Sequence, residues 1–83
     1  MTDTEIIDDI KKIIHKQFGI DEEKIEEDSY FDSDLNITDL EMEDLASALA
    51  EKYSMNFAEN VISSFKKVSD LVTYIFENAD TTV

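Results

Sequence analysis

The sequence of 83 residues contains no cysteine, no proline, no tryptophan and no arginine, and it has one glycine and one histidine. Each absence removes a class of protein. Without cysteine there is no disulfide framework, no thiolate metal site and no thiol nucleophile, so apolar packing alone must hold the fold, which a reducing compartment suits. Without arginine no guanidinium fork can grip phosphate, and a net charge of −14 repels both nucleic acid and anionic membrane. The opening "MTDTEIIDDIKK" carries acid where a secretory leader carries base, and no apolar run approaches the roughly 18 residues of a membrane span. The expectation is a soluble, cytoplasmic protein. The lone histidine, His15, stands among lysines with no nucleophile to converge on, so it reads as a partly exposed surface residue and no enzyme is expected.

With so little to punctuate the chain, and no segment alternating apolar and polar with period two, the pattern is all-α. A chain of this length hides only about 60–65% of the surface its unfolded form exposes, which leaves room for one core. One domain over residues 1–83 is expected, monomeric, with a short flexible tail at about 78–83. Ile6, Ile10, Ile13, Ile14 and Phe18 recur at helical spacing, Thr2 and Glu5 can form a capping box, and Gly19 sits where helices commonly end. The first helix should therefore run from about residue 3 to 18. From Ile20 to Ile37 apolar residues are sparse and aperiodic, which predicts a long loop pinned at Ile20, Ile25, Tyr30, Phe31, Leu35 and Ile37. Loops of this length in small domains usually carry function.

Thr38-Asp39-Leu40-Glu41 is a second capping box, followed by Met42, Leu45, Ala46, Leu49 and Tyr53 on one face and Glu41, Glu43, Asp44, Ser47 and Glu51 on the other. "SMNFAENVISSF" is too polar for a full helix, though Phe57, Val61, Ile62 and Phe65 can anchor a turn or two. Val68, Leu71, Val72, Ile75 and Phe76 mark the face of a last helix. Charge is uneven: between Asp21 and Glu59 fourteen acids face two lysines. Such a surface keeps a small protein soluble, and it also suits partners that present lysine and arginine patches. The eight aromatic residues, among them Tyr30 and Phe76, read as core and core rim rather than a stacking platform for bases.

Three stretches, "IKKIIHKQFGI", "DSYFDSDLNITDLEMEDLASALAEKY" and "SSFKKVSDLVTYI", stand in the register and at the spacing of the acyl carrier proteins, and this resemblance spans nearly the whole chain. It implies a four-helix bundle of three main helices and one short one, with a long loop between the first two. In that family the second helix opens with Asp-Ser-Leu, whose serine carries a 4'-phosphopantetheine arm. The matching tripeptide here is Thr38-Asp39-Leu40. A carboxylate in place of the hydroxyl would give coenzyme A's pyrophosphate only a labile acyl phosphate, so Asp39 is expected to stay unmodified and no cofactor is expected. The family's apolar recognition spots on the outside of helix 2 fall at Glu43 and Ser47.

Two explanations for Asp39 stand side by side. At the first helical position a negative charge meets the positive end of the macrodipole, worth about 0.3–1 kcal/mol, and needs no function. Alternatively, a fixed anion imitates the phosphate of a modified serine; an introduced substitution, or a lineage that lost the site, would leave the same residue. The functional expectation is an acidic protein-binding module that contacts basic partners, carrier-dependent enzymes among them, through Asp39, Leu40, Glu41, Glu43, Asp44, Ser47 and Glu51. Its rival is a working carrier in fatty-acid or polyketide synthesis, with Asp39 an introduced substitution or with 4'-phosphopantetheine on another serine. Ser33 is the nearest, six residues early and inside the loop. A third reading takes Asp32 to Glu43 as a calcium loop, with acid or amide at positions 1, 3, 5 and 12. It fails at position 6, where Ile37 replaces the glycine that the turn requires, leaving loose cation association and no metal site.

Overall fold

The structure, a computed structural model, describes residues 2–78; of the expected tail, residues 79–83 lie outside them, while Asn78 closes the last helix. Helix α1 spans Asp3–Phe18. Its start is a reciprocal cap: the Glu5 amide donates to Thr2 Oγ1 at 3.2 Å and the Thr2 amide donates to Glu5 Oε1 at 3.1 Å. It stops at Gly19, whose φ of +72° reverses the chain while its amide donates to the His15 carbonyl at 2.9 Å. A Cβ at Gly19 would touch nothing within 4 Å, so glycine is needed there for its backbone freedom rather than for space. The buried face is Ile6, Ile7, Ile10 and Ile14, with Ile13 and Phe18 half-buried at its rim.

Helix α2 spans Asp39–Tyr53 and begins with the second capping box: the Glu41 amide donates to Thr38 Oγ1 at 3.2 Å and the Thr38 amide to Glu41 Oε1 at 2.9 Å. It buries Met42, Leu45, Ala46 and Leu49. Helix α3 is the single turn Glu59–Ile62, and α4 is Val68–Asn78, burying Val68, Leu71, Val72 and Ile75. Phe76 departs from expectation: it is 50% exposed, because positions 68, 71, 72 and 75 already define the inward stripe and 76 lies a further 100° or so around the helix. The core gathers these helical faces around Ile25, Phe31, Leu35, Ile37 and Phe65. Beside it Phe57, Phe65 and Tyr74 form an aromatic trio with centroids 5.4–6.0 Å apart.

The long loop is more structured than its composition suggests. Glu22–Lys24 form a turn of 3-10 helix, invisible to apolar periodicity because "EEK" has no apolar residue. Further on, the loop is stitched to the start of α4: Phe31 donates to the Lys66 carbonyl (2.9 Å), Val68 to Ser29 (3.0 Å) and Ser69 to Glu27 (2.8 Å). The first amides of a helix have no partner within it, and here loop carbonyls take two of them. Asp70 Oδ2 accepts the Lys66 and Lys67 amides, each at 3.0 Å. Tyr30, expected as a core pin, is instead 41% exposed, and the Lys67 ammonium stands 5.2 Å from its ring centroid.

Asp9 on α1 joins the end of α2 through two polar contacts. The half-buried Tyr53 hydroxyl donates to Asp9 Oδ2 at 2.5 Å, and Lys52 Nζ stands 3.9 Å from Asp9 Oδ1. Burial, then the bond to Asp9, then the charges of Asp9 and Glu5 hold the Tyr53 phenol well above its ordinary range. Because the folded state keeps the proton more tightly than the unfolded chain, this contribution is complete below about pH 10 and is lost as the pH rises beyond it. Tyr53→Phe should lower stability by about 0.5–1.5 kcal/mol at neutral pH. Its melting temperature should fall less steeply above pH 10 than that of the wild type, and parallel alkaline melting curves would rule the contact out as the cause.

Candidate functional site

Residues Leu35 to Thr38 deliver the chain to the start of α2. Asn36 adopts φ +55°, a conformation that asparagine tolerates better than most residues, while Ile37 is buried. Asp32 and Asp34, which a calcium loop would aim inward, turn to their own backbone instead: Ser33 donates to Asp32 Oδ1 and Tyr30 to Asp34 Oδ2, both at 2.7 Å. Among the described residues no three acidic or histidine side chains gather closely enough to hold a metal ion.

Asp39 follows at the first position of α2, exposed, where the free amides and the macrodipole favour its charge. Thr38, the neighbouring hydroxyl, is engaged as the helix cap. Leu40 is 72% exposed, an apolar side chain in an acidic setting. Leu40, Asp44, Ser47 and Glu51 follow i, i+4, i+7 and i+11, so the helix presents them as one outward stripe, and all four are exposed. Glu41 stands apart, half-buried with its carboxylate held by the cap, so it adds less to the outer face than its position in the sequence suggests. His15 is exposed, with its Nδ1 2.9 Å from the Ile20 carbonyl. Ser33 is exposed on the loop.

Asp39 and Glu43, one turn apart, border a cleft of about 520 Å³ between the start of α2, the end of the loop and α3. Its apolar wall comes from Phe31, Ile37, Met42, Ile62 and Phe65, and its rim from Asp32, Asp39, Glu43, Glu59 and Lys66. The α3 side of this cleft is not legible in the sequence. The available signal was weak: a one-turn helix anchored by Ile62 and Phe65 must leave a gap beside the longer α2, but nothing local says where the gap falls.

Comparison with known proteins is consistent across several bacteria. The chain is 37% identical over 68 residues to an acyl carrier protein of Chlamydia caviae, covering 82% of this chain and 88% of that protein. It is 37% identical over 70 residues to an acyl carrier protein of Chlamydia muridarum, covering 84% and 91%. An acyl carrier protein of Wolinella succinogenes is 33% identical over 73 residues, covering 88% of this chain and 96% of the relative. No family model matches the chain.

Proposed function

The chain belongs to the acyl carrier protein family, a family of carriers and not of enzymes, and we propose that within it the protein is a single-domain, cytoplasmic, acidic docking module without the 4'-phosphopantetheine serine. Asp39 stands at the attachment position in this reading. The observation that carries it is the first turn of α2. A carboxylate occupies the exposed first position, and the hydroxyl next to it, on Thr38, accepts the Glu41 amide as the helix cap. A serine-type displacement on coenzyme A needs a free hydroxyl as nucleophile, and an ionised carboxylate there gives at best an anhydride that water removes.

What such a protein retains is the face of α2. Leu40, standing out from the surface beside Asp39, Glu43 and Asp44, offers one apolar anchor ringed by negative charge. Partners with lysine and arginine patches would be steered to it over a Debye length of about 10 Å at 0.1 M salt, then seated on Leu40. The charge raises the association rate and selects the partner, and the leucine supplies contact area. The family's carrier-dependent enzymes are the natural class of partner for this face; nucleic acid and anionic membrane would be repelled. Among the described residues no helix is long and apolar enough to cross a membrane.

Intact mass after incubation with coenzyme A and a promiscuous phosphopantetheinyl transferase tests the reading directly. The wild-type chain should gain nothing, whereas Asp39→Ser should gain one arm on the new serine. A pantetheine arm mapped to Ser33, or to any other wild-type residue, would instead make this a working carrier and end the docking-only proposal.

A further inference from the structure

We propose that the outward side of α1, at Lys12, His15 and Lys16, is a second protein contact, one that receives an acidic segment of the same partner that α2 engages. It deepens the docking reading and rests on it: the partner is thereby one that carries an acidic patch beside its basic one. In a chain of net charge −14, residues 11–20 hold three of the seven lysines and no acid. Lys12 and Lys16 are one turn apart, with Cβ atoms about 5–6 Å from each other, and His15 lies beside them. All three are exposed, on the side away from the buried Ile6, Ile10 and Ile14. The His15 ring is held in place: its Nδ1 stands 2.9 Å from the Ile20 carbonyl, which can only accept, so Nδ1 carries a proton.

What singles these lysines out is that the other five are engaged or stand beside acids. Lys52 pairs with Asp9, Lys67 stands over the Tyr30 ring, and the Lys66 ammonium lies 3.5 Å from the Ser63 carbonyl. Lys11 borders an open hollow with Glu26, Glu27 and Asp28, and Lys24 directly follows Glu22 and Glu23. Among the described residues Lys12 and Lys16 have no ion pair, even with Asp8 one turn before Lys12. The helix macrodipole accounts for cations in the last turn, His15 and Lys16, but its reach ends short of Lys12. Charge complementarity selects the occupant. A long polyanion or an anionic membrane would extend past the stripe onto the surrounding acids and be repelled, whereas a short acidic protein segment can touch the stripe alone. Because α1 and α2 pack on each other, opposite signs on neighbouring helices orient a partner that a face of one sign would only steer.

Titration of the full-length protein with capped hexaglutamate and with capped hexalysine at low ionic strength, followed by amide NMR, separates the two faces. Hexaglutamate should shift residues 12–16 and hexalysine should shift Leu40, Asp44 and Glu51, both responses shrinking as sodium chloride is added. Lys12→Gln combined with Lys16→Gln should weaken hexaglutamate by about threefold to tenfold without weakening hexalysine. Hexalysine bound at α2 with no hexaglutamate response, or with one centred on Lys66 and Lys67, would overturn this proposal and leave the docking reading standing. A response to hexaglutamate alone would end the α2 docking reading, and with it the shared partner. A single-stranded oligonucleotide or an anionic vesicle that binds residues 12–16 as tightly as hexaglutamate would overturn the protein segment as occupant. These comparisons use the wild-type chain, so they stand even where the double variant perturbs the fold.

Discussion

Ile10→Ala should lower the stability of the protein by about 2–5 kcal/mol, the largest loss expected from a single substitution of this kind. Ile10 has no exposed surface and lies midway along the buried face of α1, the helix that packs on both α2 and α4. Removing its outer carbons loses their transfer free energy and leaves a cavity that three helices cannot close together. A domain of this length has only about 4–12 kcal/mol in total, so the variant would sit near the unfolding threshold. Phe76→Ala removes more atoms but from a side chain already half in water, and should cost about 1 kcal/mol or less. Urea midpoints for the two variants decide the matter. A Phe76 loss as large as that of Ile10 would mean α4 packs in a different register.

Screening the surface charge should raise the melting temperature, and divalent cations should do so more steeply than sodium. The net charge is −14, and among the described residues one ion pair, Lys52 with Asp9, is formed. Self-repulsion on so small a body opposes the compact state, and salt weakens it over about 10 Å at 0.1 M. Each kcal/mol recovered appears as a rise of about 4–8 °C in a domain of this size. Because the loop acids turn to their own backbone rather than toward one another, magnesium and calcium should act alike and without saturation at low concentration. A rise produced by micromolar calcium and not by magnesium would reinstate the segment Asp32 to Glu43 as an ion site. Melting that ignores salt altogether would show that the repulsion is negligible.

The parts of this fold that the sequence disclosed are those governed by neighbours three or four residues apart. Both capping boxes, at Thr2 and Thr38, lie where their residues suggest, and Gly19 ends α1 as expected, because each is a local hydrogen-bonding problem with a local solution. The inward stripes of α1, α2 and α4 follow in the same way, save that Phe76, next to the buried Ile75, faces half outward. What stayed hidden depends on distant partners. Tyr53 meets Asp9 across 44 positions, Tyr30 pairs with Lys67 across the chain, and neither contact leaves a mark in periodicity. The cleft is hidden for the same reason: Asp39 and Glu43 were legible as an acidic helix start, while Glu59 and Lys66 reach its rim only through the way α3 is set against α2.

The stitching of residues 27–31 to residues 66–69 has a consequence for how the cleft can open. Phe31, Val68 and Ser69 have their amides bonded across two segments that are both anchored in the core, so freeing any of them requires the loop and the root of α4 to separate together. Amide protons held this way exchange with solvent only through a concerted opening, and a stretch without regular helix would then be as slow as the helices around it. The opposite wall is one turn of α3 with no side-chain cap at its start and no fully buried residue. The two walls therefore differ in what holds them, and amide exchange should be faster in α3 than at Phe31, Val68 and Ser69.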